Sequence, residues 1–274
     1  MSESGELEET PRLRRFDVTL GYCGRDFHGW QFQEGVRTVE GELRAALAQL
    51  SPEPIETVGA SRTDRGVHAH GQRCRCELTT RLPADRLVRA LQALTPPDLM
   101  VHAVHEVDAS FHPRFDAQEK RYLYRVRSAL APTCFGDDLH WWVRQPLDVA
   151  AMRAASAPLI GRHDFEAFRN VSKDGPDDAV RTVRVIDWRE HRDGWLTCQV
   201  IGDGFLYKMV RNLVGTLVEV GRGARGPEEI AEILASRDRR RAGATAPPQG
   251  LFLMNIRYSD ERPLVADPEP WIPQ

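Results

Sequence analysis

The segment Gly59-Ala60-Ser61-Arg62-Thr63-Asp64-Arg65-Gly66-Val67-His68 places one carboxylate, Asp64, between two guanidinium groups, Arg62 and Arg65, in a loop closed by Gly66. An acid held this way at a strand-to-loop junction is expected to be ionised, oriented and able to meet an anionic ligand beside the arginines. In a dry pocket such a carboxylate can serve as a nucleophile or a base. The same residue types also occur in solvated turns, where a surface ion pair contributes little. Spacing alone leaves both readings open.

The flanking residues supply what must position the acid. Upstream, Ile55-Glu56-Thr57-Val58 reads as a short strand, and downstream Gln72 to Leu78 reads as another. The first half of the chain reads strand, helix, strand, helix, strand. Phe16 to Tyr22 alternates as a strand, and Thr38 can cap a helix carrying Val39, Leu43, Leu47 and Leu50 at helical spacing. Pro83 opens a second helix with Leu87, Leu91 and Leu94 on one face; Thr95-Pro96-Pro97-Asp98 ends it, and Met100 to Val107 returns as a strand.

The second half repeats that plan loosely. Lys120, Tyr122, Tyr124 and Val126 share one face of a strand. A helix follows around Leu147 to Ala157, then a hairpin of Arg181 to Arg189 and Trp195 to Ile201, turned by Arg192-Asp193-Gly194. The period predicts a helix over Phe205 to Val220, a last helix over Pro227 to Ser236, and a strand over Leu251 to Tyr258. Asn170 to Asp178 is polar and contains glycine and proline, so a long loop or flap is expected there. Arg237 to Arg241 carries four arginines, which suits either a phosphate grip or a solvated helix end.

Composition sets bounds without choosing a function. A chain of 274 residues, 41% hydrophobic and 28% charged, is ordinary for a globular protein of one large or two smaller domains. No run of about eighteen apolar residues predicts a membrane span. Met1 to Pro11 carries Glu3, Glu6, Glu8 and Glu9 without an apolar core, so it reads as an acidic disordered tail and not as a targeting signal. Net charge is −3; without those four acids the body holds 37 bases against 36 acids. Lysine occurs only at 120, 173 and 208, and the other bases are arginine. That bias suits phosphate contacts and base stacking, and a GC-rich genome would produce it equally well. Five scattered cysteines (23, 74, 76, 134 and 198) fit neither a zinc site nor a redox pair, and reduced cytosolic thiols are expected.

Taken whole, the ten-residue string resembles the signature of the TruA-type tRNA pseudouridine synthases. Further blocks resemble the same family in the same order: Gly21-Tyr22-Cys23-Gly24 with Phe27-His28-Gly29-Trp30-Gln31, then Phe111-His112-Pro113-Arg114-Phe115, then Lys120-Arg121-Tyr122-Leu123-Tyr124. Gly161-Arg162-His163-Asp164-Phe165, Gly204 to Asn212 and Gly250-Leu251-Phe252-Leu253 complete the set, which spans about Phe16 to Tyr258. The resemblance implies an α/β (α+β) fold of two similar, pseudo-symmetric domains, with mainly antiparallel sheets, flanking helices and an RNA-binding cleft between them. Residues 1–14 would be the acidic tail, 15–115 the domain bearing the aspartate loop, 116–262 the second domain, and 263–274 a C-terminal tail.

The resemblance also implies a reaction. Uridine in tRNA is isomerised to pseudouridine at positions 38, 39 and 40 of the anticodon stem-loop, without cofactor or metal, by a cytoplasmic homodimer with one tRNA across both subunits. Asp64 is then the catalytic residue, attacking C1′ or C6 or assisting elimination across the ribose. Arg211, on the predicted helix, is the cation that keeps it charged. Tyr122 stacks on the target base, Arg62 helps displace the nucleotide from its helix, and either Leu251 or Leu253 is expected to wall the uracil pocket. His68 is left as a structural residue. Arg65 departs from the small residue common in the family and could add a phosphate contact. The competing expectations are an RNA-binding or chaperone protein that keeps the fold without turnover, and a metal- or nucleotide-dependent enzyme. No phosphate-loop motif, His-x-x-x-His pair or carboxylate cluster supports the last.

Overall fold

The computed structural model describes residues 11–171 and 178–259. The C-terminal tail expected at 263–274 and most of the loop expected at Asn170–Asp178 (residues 172–177) lie outside the described residues. At the N-terminus the first strand, β1, spans Arg12–Tyr22 and pairs Arg12 with Thr80, so residues 12–14, assigned above to the tail, belong to the sheet. Pairing with the long β3 extends the strand: Arg12, Leu13 and Arg14 oppose Thr80, Thr79 and Leu78.

Most of the sequence-derived elements appear close to their expected limits. α1 (Val39–Ala48) is capped by Thr38, whose hydroxyl accepts from the Gly41 N–H. β2 (Glu56–Gly59) and the long β3 (His68–Thr80) flank the aspartate loop. α2 (Ala84–Leu94), β4 (Leu99–Glu106) and β5 (Glu119–Ser128) follow. Two short strands, β6 (Trp141–Val143) and β7 (Gly161–Asp164), leave no mark in the sequence pattern; three or four residues give too little alternation to register. Between them lies α3 (Val149–Ser156), and β8 (Val180–Glu190) and β9 (Trp195–Gly202) form the expected hairpin. α4 (Met209–Gly221), α5 (Glu229–Ser236) and β10 (Leu251–Arg257) follow in turn.

One boundary differs by a full turn. The apolar period runs from Phe205, but α4 begins at Met209 because Lys208 adopts a left-handed conformation (φ 59°) that ends any helix upstream of it. Phe205 still faces apolar surface, and its partner is Tyr122 of β5. α4 itself is buried around almost its whole circumference, so Arg211 is carried into the interior. Gly215 permits this: a Cβ there would overlap the Ala244 carbonyl, and its absence lets residues 244–246 lie against the helix.

A single mostly antiparallel sheet carries both halves of the chain in the order β4-β1-β3-β10-β5-β9-β8-β7, with β2 on β3 and β6 on β5. The first half contributes β4-β1-β3 with β2, and the second half the rest. They meet where β10 pairs parallel with β3 through Phe252–His68 and Leu253–Ala69. α1 and α2 pack over the first half, and α3, α4 and α5 over the second. One hydrophobic core is continuous across the join, from Phe16, Leu20 and Trp30 to Leu213, Leu217 and Leu253. Among the described residues no helix is long and apolar enough to cross a membrane.

His68 is at the join. Its ring stacks on Phe252 with centroids 4.7 Å apart. Nδ1 accepts from the Gly24 N–H at 3.1 Å while Nε2 lies 3.2 Å from the Asp138 carbonyl, which together select the neutral Nε2–H tautomer. Burial brings its pKa down to about 4. The folded value lies below the unfolded value of about 6.5, so the unfolded chain takes up the proton first; the neutral ring's contribution is complete above pH 6.5 and is lost as pH falls toward 4. Between pH 7 and pH 5 this amounts to about 2 kcal/mol. Urea unfolding at the two pH values should therefore show a smaller acid-induced loss in His68→Gln than in the parent, and equal losses would place the titration elsewhere.

Candidate active site

The aspartate loop leaves the sheet at the end of β2 and returns at the start of β3, beside the seam where the two halves join. It is held from beneath. Gln72 of β3 accepts from the Ser61 N–H (3.2 Å) and donates to the Ser61 carbonyl (2.6 Å). The hydroxyls of Tyr22 and Thr63 share a buried hydrogen bond of 2.8 Å, and the backbone N–H of Trp30 donates to the Thr63 carbonyl at 3.0 Å. Within the loop, the Val67 N–H donates to the Asp64 carbonyl, and Gly66 takes the positive φ (81°) that this turn requires. Gly29 (φ 98°) presses against the outside of the loop, where a Cβ would lie 2.8 Å from the Thr63 carbonyl oxygen. Every one of these contacts constrains where the Asp64 carboxylate can be.

That carboxylate meets Arg211 from α4. Nη1 of Arg211 donates to Asp64 Oδ2 at 2.6 Å, and Nε donates to the Ala246 carbonyl at 2.8 Å. The guanidinium is thereby pinned on two sides, and the pair is mostly withdrawn from solvent, with side chains 11% and 16% exposed. The planar fork fixes the angle between carbonyl and carboxylate, which the point charge of a lysine ammonium would leave loose.

Tyr122 enters from β5. Its hydroxyl shares a 2.9 Å hydrogen bond with Ser61 Oγ, and its ring meets Phe205 edge-on, centroids 5.3 Å apart. Burial, aided by the nearby Asp64 charge, pushes its pKa up to about 12. The phenol therefore stays neutral at physiological pH and offers an aromatic surface and a hydrogen bond, not a base. Tyr124, two residues on, is fully buried and donates to the Pro247 carbonyl, which makes it a core residue.

Asp64, Arg211, Tyr122, Arg62 and Leu251 line one cavity of about 580 Å³, within the span of roughly 300–1,000 Å³ common for small-ligand sites. Arg62 is exposed at its rim, and Arg65 is exposed and lies outside the lining. Leu253 is fully buried in the core, which leaves Leu251 as the wall residue of that pair. The arginines of 237–241 are engaged within the chain: Arg237 with Asp164, Arg239 with Asn212 and nearby carbonyls, Arg240 with Asp238, and Arg241 with Glu232.

Sequence reasoning missed the supports Gln72, Tyr22 and Ser61, whose roles depend on cross-strand neighbours. It also gave Lys120 no part. Lys120 is buried in the cavity wall on the same strand face as Tyr122, and that shared face was the available signal.

Comparisons with known proteins show the family. A family model described as tRNA pseudouridine synthase matches residues 20–116 and 155–259. The tRNA pseudouridine synthase A of Brevibacillus brevis is 43% identical over 247 residues, covering 90% of this chain and all of the relative. That of Bacillus subtilis is 42% identical over 248 residues, again 90% of this chain and all of the relative, and that of a Geobacillus strain is 42% identical, with 90% and 99% covered. With the family model matched over most of this chain and these identities sustained from end to end of the relatives, the chain belongs to the tRNA pseudouridine synthase family.

Proposed function

We propose that this chain isomerises uridine to pseudouridine in tRNA, at positions 38, 39 and 40 of the anticodon stem-loop, with Asp64 as nucleophile. The observation that carries this reading is the convergence of Asp64, Arg211 and Tyr122, drawn from both halves of the chain, on one cavity. In the reaction the N1–C1′ bond breaks, the uracil turns within the pocket, and C5 bonds to C1′; C5 loses a proton and N1 gains one. The base must be retained throughout, because its escape would leave an abasic site.

The residues divide that work. Arg211 occupies Oδ2 of Asp64 and leaves Oδ1 as the attacking oxygen. Tyr122 stacks on the base, and a stacking contact tolerates ring rotation while contributing roughly 1–3 kcal/mol. Leu251 walls the uracil. Arg62, at the rim, helps turn the nucleotide out of its helix, a displacement costing a few kcal/mol. Arg65, outside the cavity, is placed to meet the RNA backbone. Targets at three heights in one stem favour recognition by shape and phosphate contacts over base identity. The enzyme is a cytoplasmic homodimer with one tRNA across both subunits.

Purified protein, without added metal or cofactor, should convert unmodified tRNA carrying uridine at 38–40, read as carbodiimide-dependent primer-extension stops. Asp64→Ala should lower the rate by more than about 10³-fold, near 4 kcal/mol of transition-state stabilisation. Retained tRNA binding without stops in the parent protein would instead identify an RNA binder of the same fold.

Replacing the guanidinium is the second test. Arg211→Lys should lose on the order of 10-fold in kcat/KM and Arg211→Gln about 10³-fold, since only the first keeps a charge beside Asp64. Equal rates for the two variants would remove the ion pair from the mechanism. Sedimentation at micromolar concentration should give a dimer mass; a monomer would refute the proposed assembly.

A further inference from the structure

The wall of the cavity beside Tyr122 holds a cation without a counter-charge. Lys120, the second residue of β5, is 9% exposed. Its Nζ donates to the Ala60 carbonyl at 2.7 Å, and among the described residues no carboxylate lies within ion-pair distance of it. An ammonium has three N–H donors, so this carbonyl leaves two to be satisfied. Arg114 and Arg181 line the same cavity and act on Lys120 with charge of the same sign. Burial first, and these arginines second, bring its pKa down to about 8.

The cavity's acids do not offset this. Among the described residues its lining holds seven lysine and arginine side chains but two carboxylates, Asp64 and Glu40. Asp64 is engaged by Arg211. Glu40 accepts from Arg44, the Thr57 hydroxyl and the Phe32 N–H, all of them on the first half of the chain. Withdrawing an ammonium from water is costly unless an opposite charge meets it. Here the protein leaves that charge to be supplied from outside.

We propose that Lys120, with Arg114 and Arg181, forms a phosphate subsite that holds the phosphodiester flanking the target uridine while the base lies against Tyr122. The inference rests on the function proposed above and adds a specific anchor to it. Residues two apart on one strand face are about 7 Å apart, so an anion at Lys120 and a base at Tyr122 fit within one nucleotide and its linkage. The same ammonium ties the Ala60 carbonyl at the head of the aspartate loop, so a phosphate arriving at Lys120 reaches the element that carries Asp64.

The test is a double-mutant cycle between protein and RNA, read by fluorescence anisotropy of anticodon stem-loop RNA and therefore independent of turnover. Each phosphate flanking the target uridine is replaced in turn by a neutral methylphosphonate, with a 2′-deoxy control at the same nucleotide. In the parent protein one replacement should weaken binding about 10-fold; in Lys120→Met the same replacement should change it less than about 2-fold. Lys120→Met should also lower the slope of log Kd against log salt by about one phosphate contact. Additive losses, or an unchanged salt slope, would overturn the subsite and leave Lys120 as a loop tie. Should Lys120→Met fail to fold, Arg114→Ala, at an exposed side chain, carries the same cycle: coupling supports the subsite and additivity overturns it. A parent protein that shows the coupling but forms no pseudouridine would sink the proposed function and keep the subsite.

Discussion

The Asp64–Arg211 ion pair is the constraint around which the molecule is arranged. One partner comes from a loop between β2 and β3 and the other from α4, so the pair forms only when the two halves of the chain are docked. Its desolvation would be costly for either residue alone. The structure meets the cost with a second acceptor, the Ala246 carbonyl, and with a helix buried on nearly all sides that cannot turn the guanidinium elsewhere. Gly215 is part of the same device, since without its bare backbone the segment bearing Ala246 could not approach.

The loop that presents Asp64 is rigid by construction. Gln72 grips both backbone groups of Ser61, Tyr22 reaches the Thr63 hydroxyl, and Gly29 closes the outer side. Tyr122 and Lys120 then bind successive residues of that loop, Ser61 and Ala60, from one strand of the other half. Side chains held on both sides in this way have little conformational freedom left to lose when a ligand enters the cavity. The neutral phenol of Tyr122 and the charged pair beside it give the cavity one face for a ring and one for developing charge.

Much of this was legible in the sequence, and the limits follow from where the signal resides. Asp64, Tyr122 and Arg211 lie inside contiguous strings whose resemblance could be seen, and the amphipathic periods of α1, α2, β1 and β5 located their elements. The helix period misled at Phe205–Lys208 because apolar spacing is blind to a single left-handed residue. The seam between β3 and β10 has no local signature, since parallel pairing joins distant segments through backbone groups common to all residues. Gln72 was invisible as part of the site for a related reason: it is an ordinary strand residue until the loop that it grips at Ser61 is known, whereas the face that Lys120 shares with Tyr122 could have pointed to it. Arg65, conspicuous beside the aspartate, proved to be outside the cavity lining, because the chain turns there between Asp64 and Val67 and leaves its side chain exposed.

The placement of β10 has a consequence for biosynthesis. The strand that knits β3 to β5 is the last element the ribosome delivers among those described, so the N-terminal half emerges with the start of β3 paired to β1 on one side and open on the other. An open strand edge beside a partly formed core is a template for wrong partners. During translation the nascent chain must hold that edge unmated until residues 251–257 arrive, and the pocket cannot be complete before then. Arg211 is already made by then, so what β10 adds last is the Leu251 wall and the seam that docks the two halves around the Asp64–Arg211 pair.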